Sequence, residues 1–221
     1  MGKDSIVQVT KDHYDFDKYV GLDRWNSYYY QISEVVKCKG KSVLLIGAWD
    51  GIVVDVLKRL NKHVTTFDFD QSLKPDIVWD VTMIDEIITK KYDVIVCCQV
   101  LEHIPFDMFD PTIKKIQNIF NEKFILSLPN RNIRIKFFAP IIRHVKFPIH
   151  RFWNNQWNIN KEWNGEHYRE IDATKEYKLI NIKKIINQYY DIKEIYTPFN
   201  NTYHTFRILW NRTGNSLKDY L

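Results

Sequence analysis

The chain has 221 residues, of which 45% are hydrophobic and 27% charged, and its formal net charge is +5. That balance suits one globular domain with a filled core and excludes a disordered chain. Apolar runs such as VLLIGAW and VIVCCQVL are too short to cross a bilayer, so no membrane span is expected.

The opening stretch, MGKDSIVQVTKDHYDFD, has no apolar segment of the kind that marks a secretory signal, and it misses the spacing of a myristoylation site. The expected setting is soluble and cytoplasmic. Residues 1–41 read as an aromatic-rich helical segment carrying Tyr14, Tyr19, Trp25, Tyr28, Tyr29 and Tyr30. It is either a helix packed on the edge of a sheet or a lid over a cofactor.

Residues 42–221 read as the main domain. Ser42 to Ile46 form a β-rich apolar run that stops at Gly47, as a buried strand does. After Gly51, IVVDVLKRLNKH places Val54, Leu57 and Leu60 at helical spacing. VTTFDFD is a second strand ending in Asp68 and Asp70, PDIVWD is a short third closing on Asp80, and MIDEIITKK is helical. YDVIVCCQVL is almost continuously apolar, as a strand covered on both faces must be. Asp110-Pro111 has the pattern of a helix start, an N-cap followed by proline at the first helical position, with Ile113, Ile116 and Phe120 following at helical spacing. KFILSLP is a fifth strand stopped by Pro129.

From residue 130 to 173 the periodicity lapses. This insert holds Trp153, Trp157 and Trp163, and between Arg131 and Glu170 it carries the charge excess: Arg131, Arg134, Lys136, Arg143, Lys146, Arg151, Lys161 and Arg169 against Glu162, Glu166 and Glu170. Such a field favours an anionic partner, or it is a solvated basic face with none. LINIKKIINQYY then restores a helix with Leu179, Ile182, Ile185, Ile186 and Tyr189 inward. DIKEIYTP and TYHTFRILWN, joined at Asn200-Asn201, read as a closing hairpin. Strands alternating with helices predict an α/β fold, a Rossmann-like doubly wound, mostly parallel sheet of seven strands with a C-terminal antiparallel hairpin.

Cys38, Cys97 and Cys98 are odd in number, and two lie in an apolar run. They suggest free thiols, not a disulfide framework or a metal site.

Ligands in open α/β sheets sit at the carboxyl ends of the strands, beside the topological switch point. Here Gly47 to Gly51, Asp68, Asp80 and the segment QVLEH (99–103) reach that edge. The loop LLIGAWDG lacks the GxGxxG fingerprint of dinucleotide sites and the Gly-Lys-Ser/Thr of a P-loop. It resembles instead the GxGxG loop of class I S-adenosylmethionine-dependent methyltransferases, with Trp49 at the middle glycine. The resemblance continues through VTTFDFDQSLKPDIVWDVT, YDVIVCCQVLEHIPFDMF and EKFILSLPN, and it is best from about Ser42 to Asn130. VLEHIP after the D-V-I-V strand is its most specific part.

The resemblance implies S-adenosyl-L-methionine as cofactor. It assigns Gly47, Ala48, Trp49 and Gly51 to the methionyl side, Asp68 with Phe69 to the ribose, Asp80 and Val81 to the adenine, and Gln99 to the adenosine wall. A carboxylate suits two ribose hydroxyls because it offers two acceptor oxygens. Leu45 stands where relatives carry an acid, which predicts an affinity lower by about one to two decades from one lost charge-assisted hydrogen bond.

Methyl transfer needs alignment and exclusion of water, and a base only where the acceptor must lose a proton. His103 and His167, the latter in GEHYRE, are the candidate bases, although His103 equally suits a structural role bonding its own loop. Arg131, Arg151 and Arg169 are candidate clamps for an anionic acceptor. The leading expectation is O-methylation of a small or glycan-linked acceptor, a sugar or phosphate-type group, as in surface-polysaccharide biosynthesis. Two alternatives remain: a non-catalytic binding protein on a decayed scaffold, and a nucleic-acid methyltransferase. The second is disfavoured by the lack of an Asn/Asp-Pro-Pro-Tyr motif and by a modest charge excess.

Overall fold

A computed structural model of the chain describes residues 16–47, 50–130, 177–198, 200–201 and 203–212. Among these, seven strands pair into one sheet. They are β1 (Ser42–Ile46), β2 (His63–Asp68), β3 (Ile77–Val78), β4 (Tyr92–Cys98), β5 (Phe120–Pro129), β6 (Tyr190–Tyr196) and β7 (His204–Asn211). Their order is β3-β2-β1-β4-β5-β7-β6. The first five are parallel, and β7 runs antiparallel between β5 and β6. This is the doubly wound sheet with a closing hairpin that the alternation of elements predicts.

Because strand side chains alternate, β1 divides the core between two faces. Val43 and Leu45 pack with Tyr28 and Val35 of α2 (Leu22–Val36) and with Val53, Val54 and Leu57 of α3 (Ile52–Arg59). Leu44 and Ile46 pack with Phe109, Ile113 and Ile116 of α5 (Phe106–Ile116) and with Ile182 and Ile186 of α6 (Leu179–Tyr189). Two single turns, α1 (Phe16–Tyr19) and α4 (Ile84–Ile87), complete the helices described.

Carboxylates lock the parallel strands in register. Asp93 Oδ2 accepts from the Lys41 and Ser42 amides, both at 2.9 Å, and from Ser42 Oγ at 2.7 Å, which ties the start of β4 to β1. Asp76 Oδ2 accepts from the amide and hydroxyl of Thr66, each at 2.8 Å, and so ties the approach to β3 onto β2.

Four local expectations are corrected. α5 begins at Phe106, so Asp110-Pro111 lies inside it and Pro105 is the N-cap. Pro111 forfeits one helical hydrogen bond, yet burial of Phe109, Ile113 and Ile116 carries the helix through it. Phe120 opens β5 and is not a helical residue. Leu60 caps α3 and is 47% exposed. The N-terminal helix α2 covers a face of the sheet, not its edge, because Tyr28 and Val35 need the apolar cover that a face provides.

Candidate functional site

The strand order reverses between β1 and β4, which opens a crevice at their carboxyl ends. Parallel register delivers the residues to it. Ile46 pairs with Phe67 on one side and Cys97 on the other, so Gly47 lies level with Asp68 and Cys98. Asp68 in turn pairs with Val78, close to the end of β3 and Asp80. The structure therefore gathers Gly47, Gly51, Asp68, Asp80, Val81 and Gln99 along one edge. Ala48, Trp49, Arg131, Arg151, Arg169 and His167 lie outside the described residues.

The backbone turns sharply at three of these positions. Gly47 has φ 92° and Gly51 φ 78°, a left-handed conformation that side chains resist. A Cβ on Gly51 would meet no heavy atom of the described residues within 4 Å, so its glycine serves the turn. Gln99 adopts φ 52° in spite of its side chain. Its carboxamide donates to Ser127 Oγ, and its Oε1 accepts from Arg24 of α2 at 2.9 Å, which holds the strained turn in place.

Asp68 is buried at the end of β2, and its Oδ1 accepts the Asp70 amide at 2.9 Å. Phe69 beside it is 40% exposed. Asp80 Oδ1 caps the following turn through the Thr82 amide and hydroxyl, both at 2.8 Å. Val81 is buried beneath it. Leu45 is only 2% exposed and sits in the apolar cluster with Tyr28 and Val53, so β1 brings no carboxylate to the crevice. His103 is half-buried on a tight turn over Leu101–His103, and Glu102 next to it is fully buried.

Four residues absent from the sequence-based site stand over the same edge. Asp50 Oδ1 caps α3 through the Ile52 amide at 3.0 Å, and its Oδ2 accepts from the Tyr28 hydroxyl. Arg24 reaches Gln99, and its guanidinium lies 4.4 Å from the centre of the Tyr19 ring. Burial, with Asp50 and Glu102 nearby, pushes the Tyr19 hydroxyl up to about 12, against the pull of Arg24. Burial and the Asp50 hydrogen bond also raise Tyr28. Both phenols therefore stay protonated, and Tyr28 serves as a donor. The aromatic richness before Ser42 was the sign of the two tyrosines; Asp50 lies inside the LLIGAWDG loop at a position given no role there, Arg24 lies in no motif, and the docking of α2 brings Arg24 and Tyr28 to the loop.

No family model matches the chain, and no curated protein matches it either. Solved structures do. N-methyltransferase NodS from Bradyrhizobium japonicum WM9, crystallised with S-adenosyl-L-homocysteine, aligns at TM-score 0.57 and 11% identity over 90% of this chain and 92% of its own. Magnesium protoporphyrin IX methyltransferase (ChlM) from Synechocystis PCC 6803, also with S-adenosylhomocysteine bound, gives 0.58 and 15% over 86% and 84%. The small RNA methyltransferase HEN1 gives 0.57 and 15% over 86% of this chain but 25% of its own. The fold is that of the class I methyltransferases.

Proposed function

We propose that the protein is an S-adenosylmethionine-dependent methyltransferase. The observation that carries this reading is the convergence of Gly47, Gly51, Asp68 and Gln99 at the switch point of a sheet whose named neighbours are methyltransferases. The donor set fits the cofactor. Asp68 supplies a buried carboxylate for ribose hydroxyls, the exposed Phe69 suits an adenine ring, and the left-handed turns at Gly47 and Gly51 suit close approach to the backbone.

The charged ends of the methionyl part need partners that Leu45 does not give. Asp50 is the carboxylate for the ammonium, and Arg24 is the guanidinium for the carboxylate. In this reading the acid missing from β1 is replaced from the loop that follows it, so the affinity loss expected from Leu45 is recovered. α2 acts as the lid over the cofactor, with Tyr28 orienting Asp50. The 130–173 insert is the substrate side.

When bound, S-adenosylmethionine supplies a methyl group activated by a sulfonium. The chain has to align the acceptor and exclude water. His103 and His167 are the candidates for taking a proton from a hydroxyl acceptor, while Arg131, Arg151 and Arg169 would hold an anionic one. The acceptor proposed is small or glycan-linked and the transfer is to oxygen. The named neighbours differ widely in acceptor, one of them acting on small RNA, and do not point to a polysaccharide. Among the described residues, no helix is long and apolar enough to cross a membrane.

Calorimetric titration tests the reading. S-adenosylmethionine and S-adenosylhomocysteine are expected to bind one to one. Absence of heat at millimolar concentration of either would leave the non-catalytic scaffold as the correct account. Binding of single-stranded RNA with a steep salt dependence would transfer the acceptor to nucleic acid.

A further inference from the structure

Arg207 lies in the middle of β7, opposite Leu126 of β5 and Ile195 of β6. It is fully buried. One guanidinium nitrogen donates to the Thr205 carbonyl at 3.2 Å, while Nε and the other terminal nitrogen have no partner among the described residues. Among the described residues no carboxylate offsets the charge, and burial pulls its pKa down to about 10. A lone buried cation of this kind is strongly unfavourable for the fold.

The direction of the side chain explains where the charge is aimed. β7 runs antiparallel to β5, so the start of β7 lies at the carboxyl end of β5: His204 pairs with Pro129 and Thr205 with Leu128. By bonding to Thr205, Arg207 leans back along its strand toward the edge that holds the crevice. Its register partner Leu126 belongs to the same apolar cluster as Leu128, Leu101 and Ile104, which flank the end of β4 and β5. Buried polar groups gather at that end: Thr205 pairs with Thr197 at 2.8 Å and accepts from Asn130 at 3.3 Å.

We propose that Arg207 is the anion-recognition residue of the acceptor pocket, its two unpartnered N–H groups binding a carboxylate or phosphate carried by the methyl acceptor. A guanidinium is the side chain that pairs with two oxyanion oxygens at once. A ligand of this class approaches from the carboxyl edge and neutralises the charge. The inference rests on the methyltransferase reading and narrows its acceptor to an anion.

The test uses the full chain saturated with S-adenosylhomocysteine, with Arg207→Met as the variant and R207K as its conservative companion. Benzoate and phenyl phosphate are the probes, with benzamide as the neutral control, all at fixed ionic strength. Wild type is expected to bind one of the two anions and not benzamide, and the preferred probe tells carboxylate from phosphate. R207M is expected to lose about tenfold or more in that affinity, and R207K to retain part of it. Without any probe, R207M is expected to unfold about 2 °C or more above wild type, because a buried unpaired charge has been replaced by an apolar chain of similar volume. S-adenosylhomocysteine is expected to bind both proteins equally. Equal anion binding by wild type and R207M, or an unfolding midpoint of R207M below wild type, overturns the assignment. Absence of S-adenosylhomocysteine binding in both proteins overturns the methyltransferase reading, and this inference with it.

Discussion

Asp68 is where a single side chain decides most. Its carboxylate is buried at the tip of β2 and already accepts the Asp70 amide through Oδ1. Replacing it by asparagine keeps an acceptor for that amide but removes the charge and one acceptor oxygen. Asp68→Asn is therefore expected to lower affinity for S-adenosylhomocysteine by about one to two decades, the worth of one charge-assisted hydrogen bond. Its thermal midpoint should stay near that of wild type. Calorimetry and a melting curve on the same sample check both halves; a normal dissociation constant would mean that this carboxylate does not face the ribose. The placement of Asp68 at the end of β2 could be read from sequence because an acid closing a β-rich run is a local pattern. Asp50 could not, because its role depends on Tyr28, 22 residues away in the chain and brought in by packing.

Among the elements, α2 links the core to the crevice. Its C-terminal half is anchored by a buried ion pair, Lys123 Nζ to Glu34 Oε2 at 3.3 Å, and the same lysine donates to the Glu34 carbonyl at 3.2 Å. Its N-terminal half presents Arg24 and Tyr28 to Gln99 and Asp50. The helix is thus fixed at one end and meets the crevice at the other. Tyr28→Phe keeps the ring in the apolar cluster and removes only the hydroxyl donor to Asp50. The expected result is a weakening of S-adenosylhomocysteine binding by about 3- to 10-fold, the range of a modest hydrogen bond, with unfolding cooperativity intact. If α2 only packs against the sheet, the dissociation constant will not move. The sequence suggested an aromatic-rich helical segment over residues 1–41, of which the structure forms α2 at Leu22–Val36. Its placement on a face was not, since amphipathicity states that a helix must be covered without stating by what.

For the molecule as a whole, the titrating groups set a pH window of stability. Hydrogen bonds from Ser42 lower the Asp93 carboxyl and those from Thr66 lower Asp76. Their contribution is present above the ordinary carboxylate range and is lost as pH falls through the depressed folded values. Burial does the opposite to Cys98, pushed up to about 12, and to Cys97, Tyr190 and Tyr196, which are raised as well. Above about pH 8.5, unfolded thiols begin to ionise, followed by phenols near 10. The folded chain still holds those protons, so the unfolded state binds fewer and stability falls as pH rises. Urea midpoints are therefore expected to be highest between about pH 5 and 8 and clearly lower at pH 10. A flat profile from pH 7 to 10 would show that these side chains are not buried as described.

The sequence by itself determined the alternation of strands and helices, the short third strand, the glycine turns and the acid at the tip of β2. All of these are written in local periodicity and in spacings of a few residues. It misjudged Asp110-Pro111, because a capping pattern is a local preference that the burial of Phe109, Ile113 and Ile116 outweighs. Only the tertiary structure decided that β7 runs between β5 and β6, and that Arg24 and Asp50 meet one crevice. It alone placed Arg207, the arginine of β7, fully inside the protein. Contacts between residues far apart in the chain follow from how whole faces pack, and no window of neighbouring residues contains that information.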